Sequence, residues 1–307
     1  MIVRGFYYLC RMKLSVIVAV WNGKHTLRRC VDSLVGQLAG NYEIVLVDDG
    51  STDGSTELCR QLTAGHKEVK AVLTPHQGLS HARNTGIAAS DGDYITFADC
   101  DDEVAPESYK TAMDTLEKNR QVDVLEYPIH KGFPNRHAPT GKTLREEAFT
   151  TPHDYWVQTQ GYRHCFACNK VFRRDLLERH PFKASNAFED VALMTELLNE
   201  HICIATTTRG CYRYYDNEQG ITHAADAAAL KTLYSLSAES YETHSSSDFQ
   251  RYLINIALDI YKLSGERNEM KRKSYFGSLK QIICNTLGIN TLFAISKIYY
   301  QLCKSKK

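Results

Sequence analysis

The sequence has little of what marks non-globular proteins. Only 7 of its 307 residues are proline and 18 are glycine, which excludes collagen-like and low-complexity chains. The 37 basic and 36 acidic residues leave a formal net charge of +1, so no overall field attracts nucleic acid or an acidic partner. What remains is an ordinary folded chain, 43% hydrophobic, with the length of one large domain or two modest ones.

Long hydrophobic runs are also missing. No stretch approaches the about 20 apolar residues that a membrane-spanning helix needs. The apolar run near the N-terminus is too short for a signal-peptide core, and no small-residue cleavage pattern follows it. The ten cysteines have no repeating spacing, which is typical of reduced thiols. These features predict a cytoplasmic protein in which residues 1–12 form an N-terminal extension.

Sequence signatures of several other enzyme classes are absent. There is no Gly-x4-Gly-Lys, no Gly-x-Gly-x-x-Gly and no His-Glu-x-x-His, so ATPase, dinucleotide-binding and metalloprotease functions lose their main support. Cys165 and Cys168 form a single Cys-x-x-Cys near His164, but no second pair stands at zinc-ligand spacing. We therefore interpret these cysteines as buried thiols.

The first half of the chain alternates short apolar runs with segments of helical spacing. Strands are expected near residues 14–20, 43–47, 69–73 and 94–98, and the segments between them are long enough for crossover helices. Continuously apolar, β-branched strands joined in this way indicate a mostly parallel sheet with helices on both faces. The predicted fold class is α/β, with a Rossmann-like, nucleotide-binding architecture.

The second half has a different pattern. Residues 122–127 resemble a strand, and residues 128–143, rich in Gly, Pro and Lys, are expected to form a loop. We predict one domain over residues 13–222 and a C-terminal helical region over 223–307. Its helices are expected near residues 225–243, 248–263, 272–286 and 291–303.

The end of the chain is basic and amphipathic. Residues 271–307 contain eight Lys or Arg and no Asp or Glu, interleaved with apolar and aromatic side chains. Such a segment can lie on an anionic bilayer, which would make the protein peripheral to the inner face of the cytoplasmic membrane. The alternative is a helical cap that packs on the rest of the protein and leaves a solvated lysine face.

Acidic residues follow two of the predicted strands. Asp49 ends the second strand, and Asp99 and Asp101 follow the fourth, at the sheet edge where open α/β proteins bind ligands. Two carboxylates one residue apart can share a divalent cation with a substrate diphosphate. Acids after strands also form turns and caps, which is the favoured interpretation for residues 51–53. The four acids within residues 99–103 instead repel one another unless a cation compensates them.

Five segments together resemble family 2 glycosyltransferases, in the same order and at plausible spacing over about residues 13–222. They are residues 15–22, 47–53, 78–86, 92–102 and 188–190. The resemblance implies the GT-A fold, with a nucleotide-diphosphate sugar as the donor substrate.

The resemblance assigns a donor-nucleotide site to the end of the first strand. It places Ala19, Val20, Trp21 and Asn22 in this site, with Trp21 packing on the base, and Asp49 where an acid accepts from a pyrimidine ring N–H. This favours a UDP-sugar, although Ala19 replaces the proline common in the family and leaves donor choice open. The structural alternatives are a core role for Trp21 and a turn role for Asp49.

Arg83 has two interpretations of equal weight. It stands near the start of the third predicted helix, where backbone N–H groups and a fixed guanidinium can meet a diphosphate. It can equally be a structural clamp that holds the loop of residues 99–102.

Metal and catalytic residues also come from the resemblance. Asp99-Cys100-Asp101 matches the Asp-x-Asp motif, in which Asp101 ligates Mg²⁺ or Mn²⁺ and Asp99 approaches both the ribose and the ion. Asp190 matches the general base that deprotonates the acceptor hydroxyl. One base and one metal suffice for a single in-line displacement, which inverts the anomeric centre. Without the resemblance, Asp190 would be interpreted as a helix cap.

The resemblance therefore implies a metal-dependent, inverting glycosyltransferase enzyme. It would move one sugar from a UDP-sugar to a hydroxyl of a glycan or of a polyprenyl-linked precursor in surface-polysaccharide biosynthesis. One alternative is a catalytically silent nucleotide-sugar binding or scaffold protein. Another is a sugar nucleotidyltransferase, whose Gly-rich loop after the first strand is poorly matched by residues 20–24.

Overall fold

The computed structural model describes residues 12–38, 41–133, 144–184, 187–216, 226–270, 275 and 277–304. The predicted N-terminal extension up to residue 11 and the basic residues at 271–273, 306 and 307 lie outside the described residues. The described residues fall into two compact units. The first takes those within Met1–Glu147, Ala167–Pro181 and Ala205–Tyr215, and the second those within Ala148–Phe166, Phe182–Ile204 and Asp216–Lys307.

Strands and helices alternate through the first part of the chain, as predicted. The strands are β1 Leu14–Val20, β2 Tyr42–Asp49, β3 Val69–Thr74, β4 Tyr94–Asp99, β5 Glu103–Val104, β6 Val124–Glu126, β7 Ile129–Phe133, β8 Glu147–Phe149, β9 Lys170–Arg173, β10 Ile204–Thr206 and β11 Tyr212–Tyr215. The helices are α1 Leu27–Leu34, α2 Ser55–Gly65, α3 Leu79–Ala89, α4 Ser108–Lys118, α5 Pro152–Gln158, α6 Arg174–Arg179, α7 Glu189–Leu197, α8 Ala227–Thr243, α9 Ser247–Ser264, α10 Leu279–Leu287 and α11 Ile289–Lys304.

The main sheet has the strand order β3-β2-β1-β4-β9-β6-β10-β8. Its first four strands are parallel, whereas β9 runs antiparallel to both β4 and β6. Almost every residue of β1 and β2 is buried, as expected for strands covered on both faces. The prediction of an α/β fold with a mostly parallel sheet is confirmed. A second sheet has the order β5-β11-β7.

Strand order reverses beside β1, because β2 and β3 lie on one side of it and β4 on the other. The strand register aligns Val20 with Asp48, and Ala19 with Asp99. The carboxyl ends of β1, β2 and β4 therefore meet at one edge of the sheet. In open α/β folds, the crevice outside this edge at the reversal point is where ligands bind.

Helix α3 packs closely on this sheet at Gly86. A methyl group at this position would come within 2.3 Å of Cγ2 of Ile17, which is fully buried in β1. Only glycine, which has no side chain, fits at position 86 without displacing its neighbours.

We expect Gly86→Ala to lower the free energy of unfolding by about 1–3 kcal/mol, the usual effect of overpacking a core. Denaturant unfolding followed by circular dichroism measures this change. Gly65→Ala is the matched control, because nothing lies within 4 Å of a methyl group there. An equal loss of stability in both variants would contradict the packing argument.

The prediction of a loop over residues 128–143 was wrong for residues 129–133, which form β7. β7 pairs in parallel with β11, a strand far along the chain, and Ile129 lies opposite Tyr212. The local composition of this stretch favours a loop, but pairing with a distant strand overrides it. Residues 134–143 lie outside the described residues.

The C-terminal helices are present, and they belong to the second unit. An aromatic cluster lies in this unit, where the Tyr162 ring stacks on Phe249 with centroids 4.3 Å apart and Trp156 contacts both edge-on. Helix α10 begins at Leu279, later than predicted, where the Ser278 side chain caps it by accepting from the N–H of Gln281. Within the described ranges, no helix is both long and apolar enough to cross a membrane.

Candidate functional site

The loops after β1 and β2 are joined by hydrogen bonds at the carboxyl edge of the sheet. The N–H of Asn22 donates to Oγ of Ser51 at 3.0 Å, and Oδ1 of Asn22 accepts from the N–H of Thr52 at 2.9 Å. Asn22 adopts the left-handed conformation with φ at 52°, which asparagine tolerates better than most residues. This turn fixes the backbone that carries Trp21.

Trp21 is exposed over 56% of its surface, so it is not a core residue. Its indole stacks on the imidazole of His76, with ring centroids 4.8 Å apart and an interplanar angle of 16°. The sheet edge thus carries a pair of parallel, solvent-exposed rings. A flat aromatic surface of this kind suits stacking with a planar ligand.

Asp49 lies directly beside these rings and is buried. Its carboxylate accepts from the backbone N–H of Gln77 at 2.9 Å and from that of Gly78 at 2.8 Å. Nδ1 of His76 lies 2.8 Å from Oδ2 of Asp49. His76 is not among the residues predicted for the site, although its position shortly after β3, at the ligand-binding edge, was a usable signal.

Arg83 is buried on α3, where its Nη2 donates to Oδ1 of Asp99 at 3.2 Å. Its Cζ also lies 5.6 Å from the centroid of the Phe97 ring in β4. These contacts are those of a clamp between α3 and the end of β4. A role at a diphosphate stays a prediction.

The acids after β4 repel one another. Asp99 and Asp101 are partly exposed, whereas Asp102 is buried and accepts from the N–H of Tyr215 at 2.8 Å. Burial raises the pKa of Asp102 to about 9, and the negative charge of Asp99 is the next largest cause. Burial and the neighbouring charges thus both disfavour ionisation of Asp102, in a loop that already carries two other carboxyl groups.

These acids fit a divalent cation that a substrate helps to hold. Oδ2 of Asp102 is buried without a hydrogen-bond partner, so the loop contains unused acceptor capacity. Among the residues that the structure describes, no three His, Cys, Asp or Glu side chains converge as a metal cage. Mg²⁺ is commonly bound by one or two carboxylates together with substrate phosphates, and Asp99 and Asp101 can supply that number.

A cation from α1 also reaches this loop. Arg29 donates from Nη2 to the carbonyl oxygen of Asp101, and its Nε lies 3.2 Å from Oε1 of Glu103. Its Cζ stands 3.8 Å from the centroid of the Tyr215 ring. Arg29 therefore helps to fix the Asp101 backbone. No sequence signal marked it, because an arginine on a helix usually lies on a solvated face.

Asp190 belongs to the second unit and stands in the first turn of α7. It is partly exposed, and its Oδ1 accepts from the N–H of Val191 at 2.8 Å. The preceding Phe188 has φ at 63°, a rare conformation for a bulky residue and one that recurs at functional sites. The sheet edge of the first unit brings Ala19, Asp49 and Asp99 together. The predicted catalytic role of Asp190 stays a prediction.

Comparisons with known proteins agree with this picture. The model of the family described as "Glycosyl transferase family 2" matches residues 15–180. The uncharacterized glycosyltransferase YibD of Escherichia coli K12 is 30% identical over 216 residues, which are 66% of this chain and 61% of YibD. The match therefore spans about three fifths of that relative's length.

Solved structures share the fold. TarS 1–349 of S. aureus, in complex with UDP-GlcNAc, has a TM-score of 0.65 at 17% identity, covering 94% of this chain and 92% of that one. The mannosyltransferase PcManGT of Pyrobaculum calidifontis, in complex with GDP-Man and Mn²⁺, has a TM-score of 0.59 at 17% identity, covering 94% and 84%. The expectation of a GT-A fold is confirmed.

Proposed function

The chain belongs to glycosyl transferase family 2, and on that premise we propose that it is an enzyme that transfers one sugar from a nucleotide-diphosphate sugar to a hydroxyl group. One observation carries the proposal. Ala19, Asp49 and Asp99 meet at one sheet edge, beside the point where strand order reverses. Such an edge is the ligand-binding edge of open α/β folds.

The donor nucleotide would lie along the end of β1. Its base would stack on the exposed indole of Trp21, and the backbone of Ala19, Val20 and Asn22 would border it. A carboxylate in the position of Asp49 favours a ring that presents an N–H donor, as uracil does. We therefore favour a UDP-sugar, and the UDP-GlcNAc bound by TarS supports this choice. The GDP-Man bound by PcManGT keeps a purine donor as the competing option.

The diphosphate would lie at the end of β4. Asp99 and Asp101 would hold Mg²⁺ or Mn²⁺, which supplies charge neutralisation for the departing nucleotide diphosphate. The mutual repulsion of the acids in this loop supports a cation there. Arg83 orients Asp99 through their ion pair, and Arg29 fixes the backbone of Asp101.

Asp190 would act on the acceptor as the general base. A single carboxylate that removes a proton from the attacking hydroxyl supports one displacement, and one displacement inverts the anomeric centre. Its place at the start of α7 adds a second effect, because the helix N-terminus stabilises the ionised carboxylate that a base requires.

A donor panel tests the reaction class. The full chain is incubated with UDP- and GDP-sugars in Mn²⁺ or in EDTA, and the released products are identified by mass spectrometry. A glycosyltransferase releases UDP or GDP as it transfers the sugar, slowly when water is the acceptor and faster with a suitable acceptor hydroxyl. Release of pyrophosphate would instead identify a nucleotidyltransferase, and donor binding without any released product would favour a silent binding protein.

The C-terminal helices support an acceptor presented at a membrane surface. Their inner faces pack on α9, where Gln281 donates to the carbonyl oxygen of Ser247 and the ring of Phe293 lies 4.8 Å from that of Tyr261, centroid to centroid. The outward faces of α10 and α11 expose large apolar side chains. These are Leu279, Ile282, Leu287, Ile295 and Ile298. The surrounding stretch of residues 271–307 carries no acidic residue, so this surface suits an anionic bilayer.

We expect the double variant Leu279→Ser/Ile298→Ser to bind anionic liposomes at least about tenfold more weakly. Burial of one such side chain contributes about 1.5–3 kcal/mol, and 1.4 kcal/mol is tenfold in affinity. Both side chains are more than half exposed, so the fold should tolerate the change. Sedimentation with phosphatidylglycerol vesicles measures binding.

The control for this experiment is Leu73→Ser, an exposed leucine on β3. A truncation before residue 271 is a poorer test, because it would uncover the face of α9 that α10 and α11 bury. Liposome binding that is equal for the double variant, the control and the parent protein would remove the membrane proposal.

A further inference from the structure

The stacked pair at the sheet edge has an unusual composition for a site expected to bind a base. His76 lies parallel to Trp21, with centroids 4.8 Å apart, and its Nδ1 faces Oδ2 of Asp49 at 2.8 Å. The proposed function gives the donor base two contacts, namely a stack on the indole and a ring N–H at the carboxylate. The imidazole occupies both positions, although the hydrogen bond of its Nδ1 goes to the backbone oxygen of Asp49 at 3.2 Å.

The acceptor capacity of Asp49 makes the two occupants exclusive. A carboxylate offers about four lone-pair sites. The N–H groups of Gln77 and Gly78 take two of them, and the Thr74 hydroxyl lies 3.5 Å from Oδ1. Nδ1 of His76 stands 2.8 Å from Oδ2 and blocks the remaining approach to the carboxylate. The backbone donors cannot leave without unfolding the turn after β3. A base N–H can therefore reach Asp49 only where His76 now makes its contact.

The imidazole is free to leave, but its backbone is not. The His76 side chain is 52% exposed, so rotation into solvent meets little obstruction. The backbone is packed against Gly50, where an added methyl group would come 2.7 Å from the His76 nitrogen. Rotation of the side chain alone would clear the contact site.

We infer that His76 is an internal occupant of the base site, which competes with the donor nucleotide and rotates out when the nucleotide binds. The inference rests on the proposed function, because it takes Trp21 and Asp49 as the base-binding residues. Its consequence is quantitative. Apparent affinity for the nucleotide is reduced by the fraction of molecules in which the site is open. His76 thereby sets the donor concentration at which the protein works.

The test is the affinity of the full chain for UDP, measured by isothermal titration calorimetry in Mn²⁺. If about one molecule in ten is open, His76→Ala should tighten UDP binding about tenfold. In turnover assays the KM for the donor should fall by a similar factor with little change in kcat. His66→Ala is the matched control, because it removes an imidazole that precedes β3, at the opposite edge of the sheet, and its affinity should equal that of the parent protein.

A second measurement reports on the ring stack itself. The chain has two tryptophans, so Trp156→Phe leaves Trp21 as the single indole signal in an NMR spectrum. His76→Ala should shift this signal in the absence of any nucleotide. UDP should then shift it further in both backgrounds, since the base replaces the imidazole.

Different results would overturn the role of His76 and the proposed function. Weaker or unchanged UDP binding by His76→Ala would overturn the inference, because a histidine that forms a wall of the base site strengthens binding. Such a result would leave the proposed donor site standing. If neither UDP nor GDP binds the parent protein or any variant, and the Trp21 signal stays unmoved, the proposed function fails.

Discussion

Asp190→Asn should lower kcat by about 10²–10⁴-fold while UDP affinity stays within about twofold of the parent protein. An amide has nearly the shape of a carboxylate, and its oxygen can still accept from the N–H of Val191. It cannot accept the proton of an acceptor hydroxyl. The variant therefore removes the chemistry of a general base and keeps the local structure. Steady-state kinetics gives kcat, and calorimetry with UDP and Mn²⁺ gives the affinity.

Glu189→Gln is the matched control for this prediction. It removes one negative charge from the same helical turn, so it reproduces the loss of about 0.3–1 kcal/mol expected from the helix dipole. It should not reproduce the loss of turnover. If both variants lose turnover equally, the role of Asp190 is the charge of the helix terminus. If Asp190→Asn keeps its turnover, the assignment of the base is wrong.

The residues at the sheet edge could be predicted because each strand, and the acid at its end, is recognised from neighbouring residues in the sequence. The strands β1, β2 and β4 are short, mostly apolar runs, and such a run predicts a buried strand without knowledge of its neighbours. Acids directly after two of them mark the carboxyl edge without knowledge of the tertiary structure. This is why the positions of Asp49 and Asp99 relative to the sheet followed from the sequence.

Features that depend on distant partners could not be predicted in this way. β7 contains Gly132 and a short polar stretch, and it is a strand because β11 supplies the hydrogen-bond partners. Arg29 approaches the Asp101 loop only because α1 lies beside it, which a helical pattern does not reveal. The position of His76 after a strand could be recognised in the sequence. Its contact with Trp21 could not, because it depends on how two loops fold over the same edge of the sheet.

Asp101→Asn and Asp99→Asn should each lower turnover by two or more orders of magnitude, since both remove a ligand charge from the proposed cation site. The Mn²⁺ concentration required for half-maximal activity should rise in each case. Titration of activity with Mn²⁺ measures both effects. Asp32→Asn, an exposed acid on α1, is the control and should match the parent protein. Turnover that is unchanged in both variants, or equal activity in EDTA, would contradict a metal site at this loop.

The same two variants should differ in stability without metal, and the sign of each change follows from the contacts. Asp101→Asn removes one of the charges that repel the buried Asp102 and should raise the melting temperature or leave it unchanged. Asp99→Asn also relieves repulsion, but it takes the ion pair from the buried guanidinium of Arg83. Because Arg83 is buried, loss of this partner's charge is costly even though Asp99 is partly exposed, so Asp99→Asn should melt lower than the parent protein. Thermal unfolding in EDTA tests this. If Asp99→Asn melts at or above Asp101→Asn, Asp99 is not the structural partner of Arg83, and the clamp between α3 and β4 must be held by other contacts.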